Sequence, residues 1–110
     1  NKRPDVVFSV VKSRKNPYFN MVEIKDGFAR LCKLPPKLIL KRQDTPKVYD
    51  MNTSIYVYKR EFLLNPTNNS VHSSPEMCAY VMDDISSIDI DSELDFKYVE
   101  FLVNKGVVKL

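Results

Sequence analysis

The sequence predicts an α/β domain, on three observations. Asp5–Val11 (DVVFSVV) is a nearly continuous apolar run of strand length. Ser54–Tyr58 (SIYVY) is a second strong strand signal, rich in β-branched and aromatic residues. After Ser92 an amphipathic pattern with its own start and stop signals marks a helix. Strands mixed with a covering helix argue for the α/β class. The 110 residues suit one domain or part of one, and 44% hydrophobic with 28% charged residues is a globular composition. A domain this small buries only about two-thirds of its unfolded surface, so a missing partner segment would be felt.

The first run, apolar on both alternating faces, reads as a strand covered on both sides. The polar, basic stretch Lys12–Pro17 ends it. Met21–Leu31 predicts a hairpin: Val22 and Ile24 alternate with polar residues, Asp26-Gly27 is a preferred two-residue turn, and Phe28 restarts the run. Leu34-Pro35-Pro36 cannot be helix interior and reads as extended. Lys37–Lys47 is basic, with Arg42-Gln43-Asp44 at its centre. Lys59–Leu64 reads as a short helix, Asn65–Ser70 as a loop and Met77–Met82 as a third strand. In the last helix Ser92 is the N-cap and Asp95, three residues on, completes a capping box with aspartate in place of the usual glutamate. Leu94, Tyr98, Phe101 and Leu102 form the stripe expected to face the core, widened by Phe96, Val99 and Val103. Lys105 and Gly106 supply the stop.

The net charge of +3 hides an asymmetry: residues 1–60 carry fourteen Lys/Arg against five Asp/Glu, and residues 61–110 carry three against nine. The basic half suits anionic ligands, or both halves are solvated faces. No apolar run approaches the roughly 20 residues of a membrane span. The start, Asn-Lys-Arg-Pro-Asp, lacks an apolar signal stretch and a methionine, so residue 1 is expected not to be a native start. Cys32 and Cys78 form no C-x-x-C pair and read as reduced thiols of a cytoplasmic protein. His72, the one histidine, sits in a polar loop and reads as surface, so no Ser-His-Asp or Cys-His nucleophile is indicated.

Ser87-Ile88-Asp89-Ile90-Asp91 is the most informative stretch. If it is extended, Asp89 and Asp91 share one face, about 7 Å apart, near enough to share one hard cation. On the other reading Asp91 helps cap the helix that follows and Asp89 is simply solvated.

Four motifs in order bring in a resemblance. Ser87-Ile-Asp-Ile-Asp-Ser-Glu-Leu-Asp-Phe-Lys, running into Tyr98-Val-Glu-Phe-Leu, resembles the closing motif of the acylneuraminate cytidylyltransferases, the CMP-sialic acid synthetases. Asn52-Thr-Ser-Ile-Tyr-Val-Tyr is similar to that family's Asn-Gly-Ala/Ser-Ile-Tyr strand, and Arg42-Gln43-Asp44-Thr45-Pro46 to its Arg-Gln-Asp-Leu-Pro segment. Asn16-Pro17-Tyr18-Phe19 resembles its His/Ser-Pro segment. The resemblance covers nearly the whole chain as the C-terminal half of the family's domain. It implies a Rossmann-like mixed sheet of the nucleotide-diphospho-sugar-transferase type, with residues 17–48 protruding as a hairpin dimerisation excursion.

The resemblance also implies roles. Asp89 and Asp91 would be catalytic and hold Mg2+, and Tyr56 would line the sugar pocket. Arg42, with Gln43 beside it, would reach the sugar acid from the neighbouring subunit of a homodimer, and Asn52 would belong to the substrate site. The implied reaction transfers CMP from CTP to a sialic-type nonulosonic acid. Thr53 departs from the family's glycine, so the backbone there is expected to differ slightly, and Phe19 stands where some relatives carry a basic residue. The family's glycine-rich CTP loop has no match, since Gly27 and Gly106 belong to a turn and a helix stop. The CTP-binding half is therefore expected upstream of residue 1, and this chain is expected to be inactive alone. The competing expectation is a non-enzymatic basic module for nucleic acid or a protein partner. Against nucleic acid, most aromatics sit inside apolar runs, where core packing explains them better than base stacking.

Overall fold

The computed structural model describes residues 3–35, 37, 41–67 and 76–109; His72 and the side chain of Arg42 lie outside the described set. The chain forms two compact units, one from Asn1–Val11 with Met51–Leu110 and one from Lys12–Asp50. The strands are β1 (Val6–Lys12), β2 (Val22–Lys25), β3 (Phe28–Leu31), β4 (Tyr49–Tyr58) and β5 (Met77–Met82). The helices are α1 (Arg60–Leu64) and α2 (Glu93–Asn104), and Arg42–Asp44 forms a 3-10 turn.

In the first unit β4, β1 and β5 make one sheet in that order. β1 runs parallel to β5, with Val6 opposite Met77 and Val11 opposite Met82. β4 runs the other way: the Lys59 amide donates to the Asp5 carbonyl at 2.8 Å, and the Ile55 amide reaches Ser9 Oγ at 3.1 Å. The central place of β1 explains its nearly continuous apolar run: Val6, Ser9 and Val10 are buried and Val7, Phe8 and Val11 half-buried, as suits a strand with neighbours on both edges. Val6 is fully buried and Val10 is 2% exposed; Phe62 of α1 and Leu102 of α2 complete the apolar core. The mixed sheet with helices is the α/β class that the patterning predicts.

Thr53 sits inside β4 with φ at 54°, the left-handed region that favours glycine. A β-branched residue pays for that conformation, by about 1–2 kcal/mol. The threonine thus holds a conformation that glycine adopts without steric cost. Its hydroxyl donates to the Asn52 carbonyl at 2.7 Å, which recovers part of the cost. Thr53→Gly is expected to raise unfolding stability by about 0.5–1 kcal/mol, read from the denaturant midpoint. A lower midpoint would show that the hydroxyl contact outweighs the strain.

α2 begins as its capping box requires. Ser92 Oγ accepts the Asp95 amide at 3.2 Å, while Asp95 Oδ2 accepts the amides of Asp91 and Ser92 at 3.0 Å each. These bonds, chiefly the one from Asp91, hold the Asp95 carboxyl below its usual range. A folded pKa depressed in this way contributes stability above the unfolded value near 3.9, and that stability is lost as pH falls through the folded value. The thermal midpoint of the native protein should therefore drop more steeply than that of Asp95→Asn as pH falls below about 4. Equal slopes would overturn this. The helix stops at Gly106, whose φ of 76° lets its amide reach the Val103 carbonyl at 3.0 Å.

The inner face of α2 differs from expectation. Leu102 is buried and Val99 and Val103 are half-buried, but Leu94, Tyr98 and Phe101 stand 76%, 54% and 55% exposed. Helical period identifies an apolar arc wider than the part that is covered, and the covered part is one edge of it.

The second unit holds the β2–β3 hairpin, in register from Val22 opposite Leu31 to Lys25 opposite Phe28. Asp26 and Gly27 both take positive φ, at 53° and 82°, as the two-residue turn demands. Pairing places Val22, Ile24, Ala29 and Leu31 on one face and Glu23, Lys25, Phe28 and Arg30 on the other. The hairpin's large apolar residues are exposed, Ile24 at 77% and Phe28 at 73%. Among the described residues of this unit only Asn16 is buried.

Candidate functional site

Asp89 and Asp91 lie on the connector from β5 to α2, and the sequence builds that connector from clamps at both ends. At its start Asp83 accepts the Ser86 amide at 2.8 Å and the Ser86 hydroxyl at 2.9 Å, which closes a turn over residues 84–87. The same two bonds, the backbone one first, hold the Asp83 carboxyl below its usual range. At its end the Asp91 amide is held by Asp95. Between them residues 88–91 belong to no strand, with Ile88 half-buried and Ile90 exposed. The strict alternation expected of an extended strand therefore has no ladder to enforce it.

Both carboxylates are exposed. Among the described residues no lysine or arginine pairs with either of them. On the competing reading Asp91 helps cap the helix; Ser92 is the N-cap, and Asp91 enters the capping network through its amide. Two free carboxylates are hard oxygen donors, and Mg2+ uses one or two of these together with waters and substrate phosphates. The donor set thus fits that ion. Among the described residues no group of three or more acidic, histidine or cysteine side chains could enclose a metal.

Asn52 and Tyr56 leave β4 into different surroundings. Ser9 Oγ donates to Asn52 Oδ1 at 2.5 Å and Asn52 Nδ2 reaches Met82 Sδ at 3.2 Å, so one amide ties β4 to β1 and β5. Ser9 is 2% and Asn52 7% exposed. Tyr56 is half-buried in an aromatic row. Its ring lies 6.4 Å from that of Phe8, tilted, and stacks on Tyr58 at 6.1 Å, which stacks in turn on Phe62 at 6.1 Å. Arg42 and Gln43 belong to the other unit, in the 3-10 turn closed by the Asp44 amide on the Lys41 carbonyl at 3.1 Å. Gln43 is exposed. A groove of about 400 Å³ lies against Glu23, Lys25, Asp26, Phe28 and Arg30 of the hairpin, and its described lining includes none of the candidate site residues Arg42, Gln43, Asn52, Tyr56, Asp89 and Asp91.

Comparison with known proteins bears on this arrangement. The chain is 45% identical over 101 residues to "Post-translational flagellin modification protein B" of Campylobacter coli, a match covering 92% of this chain and 41% of the relative. It is 46% identical over 98 residues to "CMP-N,N'-diacetyllegionaminic acid synthase" of Campylobacter jejuni, covering 89% of this chain and 40% of the relative. The chain belongs to the CMP-sialic acid synthetase family. It spans about two-fifths of the length of these curated relatives. No protein-family model matches it.

In this chain three positions carry more than their motifs suggest. Ser9 stands in an otherwise apolar strand, and a hydroxyl there must find a partner. That lone serine was the available sign of the node it forms with Asn52. Met82 gave no sign, because a thioether acceptor is indistinguishable in sequence from a packing methionine. Asp83 was legible only as one acid among many, yet it shapes the turn that leads to Asp89. Cys32 and Cys78 are both free thiols. Among the described residues no helix is long and apolar enough to cross a membrane.

Proposed function

We propose that this chain is the metal and sugar-acid side of an enzyme that transfers CMP from CTP to a sialic-type nonulosonic acid, giving the CMP-sugar and pyrophosphate. The observation that carries this reading is the 46% identity to a CMP-N,N'-diacetyllegionaminic acid synthase across 89% of the chain. Two exposed, unpaired carboxylates on a clamped connector support it. In the whole enzyme the sheet would be part of a Rossmann-like domain. The glycine-rich CTP loop would come from the remaining length of such a protein, so this segment alone would be inactive. The enzyme would work in the cytoplasm as a homodimer, with residues 17–48 as the dimerisation excursion.

The anomeric hydroxyl oxygen of the sugar acid attacks the α-phosphorus of CTP and gives up its proton to solvent, and the bond from the α-phosphorus to the bridging oxygen breaks as pyrophosphate leaves. Asp89 and Asp91 would hold Mg2+, which when bound neutralises charge on the phosphates and orients the leaving group. Arg42 presents a planar fork that matches the sugar's carboxylate, from the neighbouring copy, with Gln43 as a further hydrogen-bonding group. Tyr56 offers the sugar an apolar face, held by the rings beside it. Asn52 serves the substrate side through its grip on β1 and β5, which fixes the strand that presents Tyr56. The basic excess of residues 1–60 suits both an acidic sugar and a triphosphate.

The test is pyrophosphate release by the full-length protein with CTP, Mg2+ and, in turn, N,N'-diacetyllegionaminate, N-acetylneuraminate and pseudaminate. The highest kcat/KM is expected with the first. Release with none of the three overturns the reading.

A further inference from the structure

We infer that Asn16 is a positioning residue for the Arg42-Gln43 segment, and through it sets the affinity for the acidic substrate. This rests on the reading above that Arg42 and Gln43 meet the sugar acid. The residue-42 turn is three residues long, and the large apolar side chains Ile24 and Phe28 of the same unit are exposed. What organises this unit is a polar centre. Asn16 is 5% exposed, and both ends of its side-chain amide are engaged.

Asn16 Nδ2 donates to Thr45 Oγ1 at 3.0 Å and to the Pro46 carbonyl at 2.8 Å. Asn16 Oδ1 accepts the Tyr18 amide at 2.9 Å. Its own amide donates to Asn20 Oδ1 at 2.6 Å, and its carbonyl accepts the amides of Phe19, Asn20 and Met21 at 2.9–3.1 Å. Pro17 and Met21 in turn accept the amides of Lys33 and Cys32, so the foot of the hairpin joins the same centre. One side chain therefore fixes residues 45 and 46, immediately after the turn, to the loop over 16–21. A buried amide whose donors both find acceptors specifies one geometry, and loss of either leaves a buried group without its partner. The carboxylate of Asn16→Asp has the same shape but brings an acceptor against the Pro46 carbonyl.

The experiment uses the full-length protein and measures KM for the sugar acid, KM for CTP, kcat and the thermal midpoint. Asn16→Asp and Thr45→Val are expected to raise KM for the sugar acid about tenfold with KM for CTP unchanged, since a small misplacement of a binding group is felt at the substrate. Thr45→Ser, which keeps the hydroxyl, should lie closer to the native value than Thr45→Val. A merely structural role would instead lower the midpoint and leave both KM values alone in the folded fraction, which overturns the inference. Should Asn16→Asp fail to fold, Thr45→Val carries the test. Arg42→Ala separates the two claims. If it raises KM for the sugar acid while Asn16→Asp and Thr45→Val do not, the inference fails and the reading of Arg42 stands. If none of the three moves it, the reading fails and the inference with it.

Discussion

Asp89→Asn in the full-length protein is expected to lower kcat on the order of a thousandfold, about 4 kcal/mol of transition-state stabilisation, with the thermal midpoint unchanged. The two halves of that expectation have separate grounds. The loss follows if Asp89 is a ligand of the ion that offsets charge on the reacting phosphates; asparagine keeps the shape and one oxygen but removes the charge. The intact fold follows from the structure. Asp89 is exposed and, among the described residues, has no basic partner, so no native bond is broken. A higher Mg2+ requirement should accompany the loss. Asp91→Asn should act in the same direction, because its own tie to α2 runs through the amide and survives the change. Unchanged turnover in both variants would sink the metal role.

How much of this was legible in the sequence depended on whether a local rule decided the outcome. The hairpin was legible because Asp26-Gly27 supplies two positive-φ residues between alternating strands, and no tertiary contact has to agree. The start of α2 was legible for the same reason, with Ser92 and Asp95 satisfying each other's backbone. The first half of β4 was not, since Asp50 and Asn52 are poor strand formers and Thr53 takes a left-handed backbone. Those residues are held there by pairing with β1 and by the Ser9–Asn52 bond, which no local pattern shows. The α2 stripe misled in a related way: period finds an apolar arc, whereas cover decides which part of it is buried. At the candidate site the acidic pair could be located from its motif. The irregular course of residues 88–91 could not, because it is set by the Asp83 turn and the Asp95 cap pulling on either side.

Phe62→Ala is expected to cost about 3–5 kcal/mol, the largest stability loss of any single truncation in the described core. Phe62 is 7% exposed and belongs to the aromatic row that runs through Tyr58 and Tyr56 to Phe8. Each such pair adds about 0.5–1.5 kcal/mol beyond its buried area, so the truncation removes both a core volume and a stacking partner. α1 is five residues long and has no side-chain cap, and a helix of one turn does not stand in water on propensity. Among the described residues it is also tied at Lys59, through the 2.8 Å backbone bond to Asp5 and a long ion pair of 3.9 Å with the same residue. A partly exposed pair of that length contributes little, so packing more than charge holds the helix. Phe62→Leu, which keeps most of the volume but not the ring, should cost about 1 kcal/mol and weaken the near-ultraviolet circular dichroism of Tyr58 and Tyr56. Urea unfolding of the full-length protein checks both. If the alanine variant loses no more than the leucine variant, the helix is held by its Lys59 tie and the aromatic row is not its anchor.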